Sequence, residues 1–143
     1  MRRSVTYTVE GTPRPKGSRV SGVTKSGVRY NRESNPKAAE AYKAMKKRLM
    51  ELHTGPALKP PYHVEMRFLF DPPQKPTWPR SGDCDKYVRL ALDACVAGKK
   101  EKAAGWEGIL VDDRHVLEIS ARKAWSEGEG MARTEITVHE AGH

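Results

Sequence analysis

The chain has 143 residues and a formal charge of +8, from 26 Lys and Arg against 18 Asp and Glu. That length supports one domain with a real core and leaves no room for two. Two cysteines exclude a disulfide scaffold, no stretch has the about 20 apolar residues of a membrane span, and the Met-Arg-Arg-Ser start lacks a secretory apolar region, so a reduced cytoplasmic protein without a membrane partner is expected.

Residues 4–10 alternate, with Val5, Tyr7 and Val9 on one side, and predict a half-buried strand. Gly11 to Arg19 breaks it with two prolines, and Lys16 and Arg19 sit on this stiff loop as candidate phosphate contacts or as parts of a solvated turn. Residues 20–30 read as a basic hairpin around Lys25-Ser26-Gly27. Asn35 as N-cap and Pro36 at the first helical position open a helix to about His53, with Tyr42, Met45, Leu49 and Leu52 as its apolar stripe and Lys43, Lys46, Lys47 and Arg48 on its other sides. Residues 54–61 are a connector.

Residues 62–70 alternate again, placing Tyr62, Val64, Met66, Phe68 and Phe70 inward. The next twelve residues, Asp71 to Gly82, hold four prolines and exclude regular structure. Lys75, Trp78 and Arg80 there are candidate DNA contacts, Trp78 either by stacking on a base or by packing on its own domain. Lys86 to Ala97 reads as a helix capped by Asp85, with Tyr87, Leu90, Ala91, Ala94 and Cys95 buried and Asp85, Arg89 and Asp93 in one polar line. Residues 98–108 connect this helix to the apolar run Ile109-Leu110-Val111, which reads as a short buried strand ending in Asp112-Asp113. Residues 116–125 read as an interior strand and residues 132–138 as a last one. The fold class expected is α+β, a single domain of residues 1–143 with one mixed sheet of about five strands and two main helices.

The charge is unevenly spread. Residues 1–80 hold 17 basic and 6 acidic groups, and residues 81–143 hold 9 and 12. A basic half can hold a polyanion while an acidic half supplies oxygen ligands, the division that phosphodiester hydrolysis needs; a basic solubilising surface explains the sum alone. Clustered carboxylates raise one another's pKa unless a divalent cation neutralises them. Asp83, Asp85 and the pair Asp112-Asp113 therefore read either as ligands of such an ion or, plainly, as a helix cap, a salt-bridge row and a turn.

The ordered set Asp83-x-Asp85, Arg89, Leu92-Asp93-Ala94, Ile109-Leu-Val-Asp-Asp113 and Ala121-Arg-Lys123, preceded by Gly11-Thr-Pro13-Arg-Pro15-Lys16-Gly17-Ser-Arg19, resembles the RusA-like Holliday-junction resolvases from about Val5 to Lys123. The resemblance implies a homodimeric endonuclease that nicks four-way DNA junctions symmetrically, with Mg²⁺ as cofactor and Mn²⁺ as a substitute. Carried over by position, the essential acids fall on Asp83, Asp85 and Asp113, with Asp112 as a further ligand or orienter, and the family's catalytic lysine falls on Arg89. Arginine keeps the charge but cannot give up a proton, so a phosphate clamp survives the change and proton donation does not. The family's usual Asn after the second aspartate is here Lys86. Lys16, Arg19, Lys75, Arg80, Lys86 and Lys123 are the candidate DNA-binding residues. Alternatives that share these features are a same-fold nuclease for other branched DNA and a non-catalytic DNA-binding protein; a nucleotide-sugar transferase built on Asp83-x-Asp85 lacks space for its nucleotide-binding half.

Overall fold

A computed structural model describes the chain except for Met1, Ser18, Ser34, Asn35, Pro76, Arg80, Ser81, Gly82 and His143, and gives residues 19–22 and 30–33 as backbone only. The expected N-cap Asn35 and the candidate contact Arg80 lie outside the described residues, as does the side chain of Arg19.

The elements run β1 (Ser4–Glu10), β2 (Arg19–Val23), β3 (Arg29–Glu33), α1 (Pro36–Leu52), β4 (Tyr62–Phe70), α2 (Cys84–Ala94), α3 (Lys99–Ala103), β5 (Val116–Trp125) and β6 (Arg133–Glu140), with a single 3₁₀ turn at Asp113–His115. Four strands form one mixed sheet in the order β1-β6-β4-β5, in which only β4 and β5 are parallel. The hairpin β2-β3 stands apart as its own two-stranded unit, closed by Thr24 and Val28 across Gly27.

The alternation of β4 fixes the architecture. Tyr62, Val64, Met66, Phe68 and Phe70 are all buried, and in register Val64 lies between Val138 and Ile119, and Met66 between Ile136 and Ala121. Residues paired across a sheet share a face, so this row is continuous with the inner positions of both neighbours. Ala38, Met45 and Leu49 of α1 and Tyr87, Leu90, Ala91 and Ala94 of α2 close over it in one hydrophobic core. The opposite face is polar, laced by Arg67–Glu135 and Glu65–His139 pairs. That is the one-sided pattern expected of a sheet covered by helices on a single face.

Several expectations are corrected. The sheet has four strands, not five: Ile109–Val111 makes only an isolated bridge from Leu110 to Val96, because its amides are spent on the end of α2 and on Tyr62. β5 is the edge of the sheet and not interior, which leaves Leu117 67 % and Ile119 41 % exposed. α2 begins two residues earlier than expected and ends at Ala94 and not Ala97, so Asp83 occupies the N-cap position and Asp85 lies in the first turn. Residues 98–108, for which the sequence predicted no element, contain α3. Cys84 and Cys95 are both free, and burial pushes the Cys95 thiol up to about 12. Among the described residues, no helix is long and apolar enough to cross a membrane.

Candidate functional site

Three segments far apart in sequence meet where α2 passes α1. The first is the Pro-bounded loop after β1. Its Lys16 amide donates to the Lys86 carbonyl (3.1 Å), anchoring the loop on the first turn of α2. Two turns along that helix, the Lys16 ammonium bonds the Asp93 carboxylate at 2.5 Å. Lys16, expected as a DNA contact, is thus first a partner of Asp93.

The second segment is α2 itself. Tyr87 roots it on the sheet by packing against Phe68 and Phe70, with ring centroids 5.5 and 5.6 Å apart. Lys123, a candidate DNA contact, reaches back over the same ring, with Nζ 6.0 Å from its centroid. Asp83, Asp85, Lys86 and Arg89 are exposed. Asp83 makes no capping bond through its side chain, and Asp85 and Arg89 form no ion pair among the described residues.

The third segment brings Asp112 and Asp113. Ile109 and Leu110 donate to the Cys95 carbonyl at the end of α2 (2.8 and 3.1 Å), Leu58 donates to the Ile109 carbonyl (2.9 Å), and Val111 donates to the Tyr62 hydroxyl (3.0 Å). Gly108 makes this close approach possible. Its φ is +88°, and a Cβ there would lie 2.9 Å from the Leu110 carbonyl oxygen and 3.1 Å from that of Cys95. The pinned segment delivers the 3₁₀ turn to the flank of α2.

The two acids then diverge. Asp112 accepts from the Arg114 amide (2.9 Å) and from its Nε (3.1 Å), and these bonds hold its carboxyl down at about 2. Asp113 is pushed the other way, by desolvation first and then by Asp112 and Asp93. On α2 it shares a cleft with Asp93, and Asp85 lies eight residues back from Asp93, about 12 Å along the helix axis, so Asp83, Asp85 and Asp113 do not converge as the expected trio of ligands. Lys16, Asp93 and Asp113 line a cleft of about 620 Å³, together with Lys43 and Lys46 from α1.

Lys75 is exposed in the segment after β4, where Trp78 is also exposed and Trp125 donates to the Thr77 carbonyl (2.7 Å), tying this segment to the end of β5. His115 ends the 3₁₀ turn at the surface. Sequence reasoning placed Asp93 in the polar line of α2 and Lys43 and Lys46 on a basic helix face that either lies along a DNA backbone or faces water, without naming any of the three as site residues; the spacing of four from Arg89 was the signal for Asp93, and the inward turn of Lys46 toward Glu101 had none.

Carboxylate oxygens are the right donors for the Mg²⁺ that the resemblance implies. Among the described residues no three His, Cys, Asp or Glu side chains converge as a metal-holding group. Mg²⁺ commonly takes one or two protein carboxylates and completes its shell with water and substrate phosphate, so these donors fit an open site and not a closed protein cage. No family model matches the chain, and no curated protein matches it.

Proposed function

We propose that the chain is a metal-assisted endodeoxyribonuclease for branched DNA, resolving four-way junctions by paired nicks as its RusA-like motifs imply. The observation that carries this reading is the meeting of three separately recognisable motifs at one cleft: Lys16 of the N-terminal loop bonds α2 through both backbone and side chain, and Asp113 of the second acid cluster lines the same cleft as Lys16 and Asp93. Motifs with no common task have no reason to converge.

In this reading Asp113 and Asp93, which line one cleft, would hold an ion against the scissile phosphate, with Asp112 kept in orientation by Arg114, while Asp83 and Asp85, which the resemblance also assigns to the metal, begin α2 about 12 Å or more away and would act there through a second ion. When bound, Mg²⁺ polarises the phosphoryl group and makes water a stronger nucleophile. Arg89 contributes fixed positive charge where negative charge develops on the phosphorus, and as a permanently protonated group it does so without proton transfer. Lys75, Lys86 and Lys123 hold the flanking backbone. Two nicks on one junction require two sites, so a two-fold dimer is the economical assembly, and the exposed β5 edge with Leu117 and Ile119 is the surface suited to form it.

The test compares a labelled four-way junction with a linear duplex, in Mg²⁺ and in chelator, for wild type, Asp85→Asn and Arg89→Ala. Paired nicks on the junction in Mg²⁺ alone are expected, abolished in Asp85→Asn and slowed about 100-fold in Arg89→Ala. Equal cutting of both DNAs would overturn the junction assignment. Salt-sensitive binding without any Mg²⁺-dependent nicking would leave the chain as a non-catalytic DNA-binding protein.

A further inference from the structure

α3 is short and strongly basic, Lys-Lys-Glu-Lys-Ala, and its one acid is turned inward. Glu101 accepts from the Gly98 amide and from the Lys46 ammonium of α1, each at 2.8 Å, and both partners of this ion pair are largely shielded from solvent, at 12 % and 16 % exposure. Lys46 also donates to the Tyr42 hydroxyl (2.6 Å). α3 is thereby held against α1 by its acid, leaving Lys99, Lys100 and Lys102 outward.

Between the two helices lies a groove of about 740 Å³ lined by Lys43, Lys46, Lys47 and Lys100. Its two acids are already committed, Glu101 to Lys46 and Glu51 to Arg48. Lys43, Lys47 and Lys100 have no ion pair among the described residues. The groove adjoins the acid-bearing cleft, with Tyr42, Lys43 and Lys46 lining both. Unpaired ammonium groups that converge on a channel are unfavourable alone and favourable around a polyanion.

We infer that this groove between α1 and α3 is a second nucleic-acid contact, which carries the phosphate backbone of the DNA outward from the cleft, with Glu101 as the residue that positions its outer wall. The inference rests on the nuclease reading for its direction, since the strand leads from the acids to the lysines. Its ligand is the sugar-phosphate chain and not a base sequence, because ammonium groups read charge without base identity.

The test is binding of a labelled four-way junction in chelator across a salt series, with nicking in Mg²⁺ measured alongside. Lys47→Gln with Lys100→Gln is expected to reduce the slope of log affinity against log salt by about 2, two phosphate contacts at about 0.9 each. Lys25→Gln with Lys59→Gln, which removes the same charge elsewhere, is expected to leave the slope unchanged. Glu101→Ala, with every lysine kept, removes a negative charge and frees Lys46, which favours binding by charge alone, so the weaker binding expected reports the loosened wall, and tighter binding would overturn the positioning role of Glu101. Equal slope losses in the two lysine pairs, or none in the first, would overturn the groove. Absence of Mg²⁺-dependent nicking in the wild type with the slope difference intact would overturn the nuclease reading and leave the groove standing.

Discussion

Asp112 and Asp113 are adjacent, yet Arg114 stabilises the charge on the first while desolvation, Asp112 and Asp93 disfavour the charge on the second. A carboxyl whose folded pKa exceeds its unfolded value destabilises the fold at every pH above both. Asp113→Asn should therefore leave thermal stability at pH 7 unchanged or raised while removing nicking, the signature of a group retained for function at the expense of stability. Asp93→Asn should do the opposite to stability. It strips Lys16 of its partner in a pair about one-third exposed, worth about 0.2–1 kcal/mol, which outweighs the relief of Asp113, for which Asp93 is the smallest of the destabilising causes, and so lowers the melting temperature slightly. Thermal melts of the two variants check the contrast, and a lower melting temperature for Asp113→Asn than for Asp93→Asn would defeat it.

α3 shows what sequence could not disclose about an element. Five residues with four charges and no apolar repeat give no helical signal, and a helix this short is marginal without partners. Its existence comes from the bond that Glu101 makes to Gly98 at its own start and from the ion pair with Lys46, which lies 55 residues earlier in the chain. The longer elements were legible because their burial follows a period: β4 through its alternation, α1 and α2 through their apolar stripes. The start of α2 was misplaced because Asp83 and Asp85 are both good cap residues and only the backbone selects between them. Lys46 chiefly, with the Gly98 amide, holds the Glu101 carboxyl below its usual range. A depressed acid stabilises the fold above its unfolded pKa, and that contribution is lost as pH falls through the folded value. Amide exchange at Lys102 and Ala104, which bond back to Gly98 and Lys100, should accordingly accelerate relative to the α2 amides once the pH passes below the ordinary glutamate range. Glu101→Gln should show that acceleration at pH 7.

At the scale of the molecule, one buried hydroxyl joins the sheet to the site. Tyr62 begins β4 and is fully buried; its hydroxyl donates to the Leu58 carbonyl (2.6 Å) and accepts from the Val111 amide (3.0 Å). Sequence identified Tyr62 as a core residue through the alternation of β4, but the run 109–111 read as a strand because a short apolar stretch is compatible with one. The structure instead holds that run by single bonds to α2, to Leu58 and to Tyr62, so the position of Asp112 and Asp113 depends on side-chain chemistry at the sheet end and not on a strand ladder. Strand order was equally hidden. Nothing local in residues 116–125 tells an edge from an interior position, because that depends on which strands find β4 first. Tyr62→Phe keeps the ring and removes both bonds, leaving a buried carbonyl and an amide unpaired at a cost of about 1–3 kcal/mol. Urea unfolding should show a lower midpoint with an unchanged slope. Because the same bond holds the acid-bearing segment, junction nicking should slow as well, measured well below the melting transition where the variant is fully folded. A loss of stability with nicking at the wild-type rate would show that the acids keep their place without Tyr62, and that Gly108 and the end of α2 suffice to hold them.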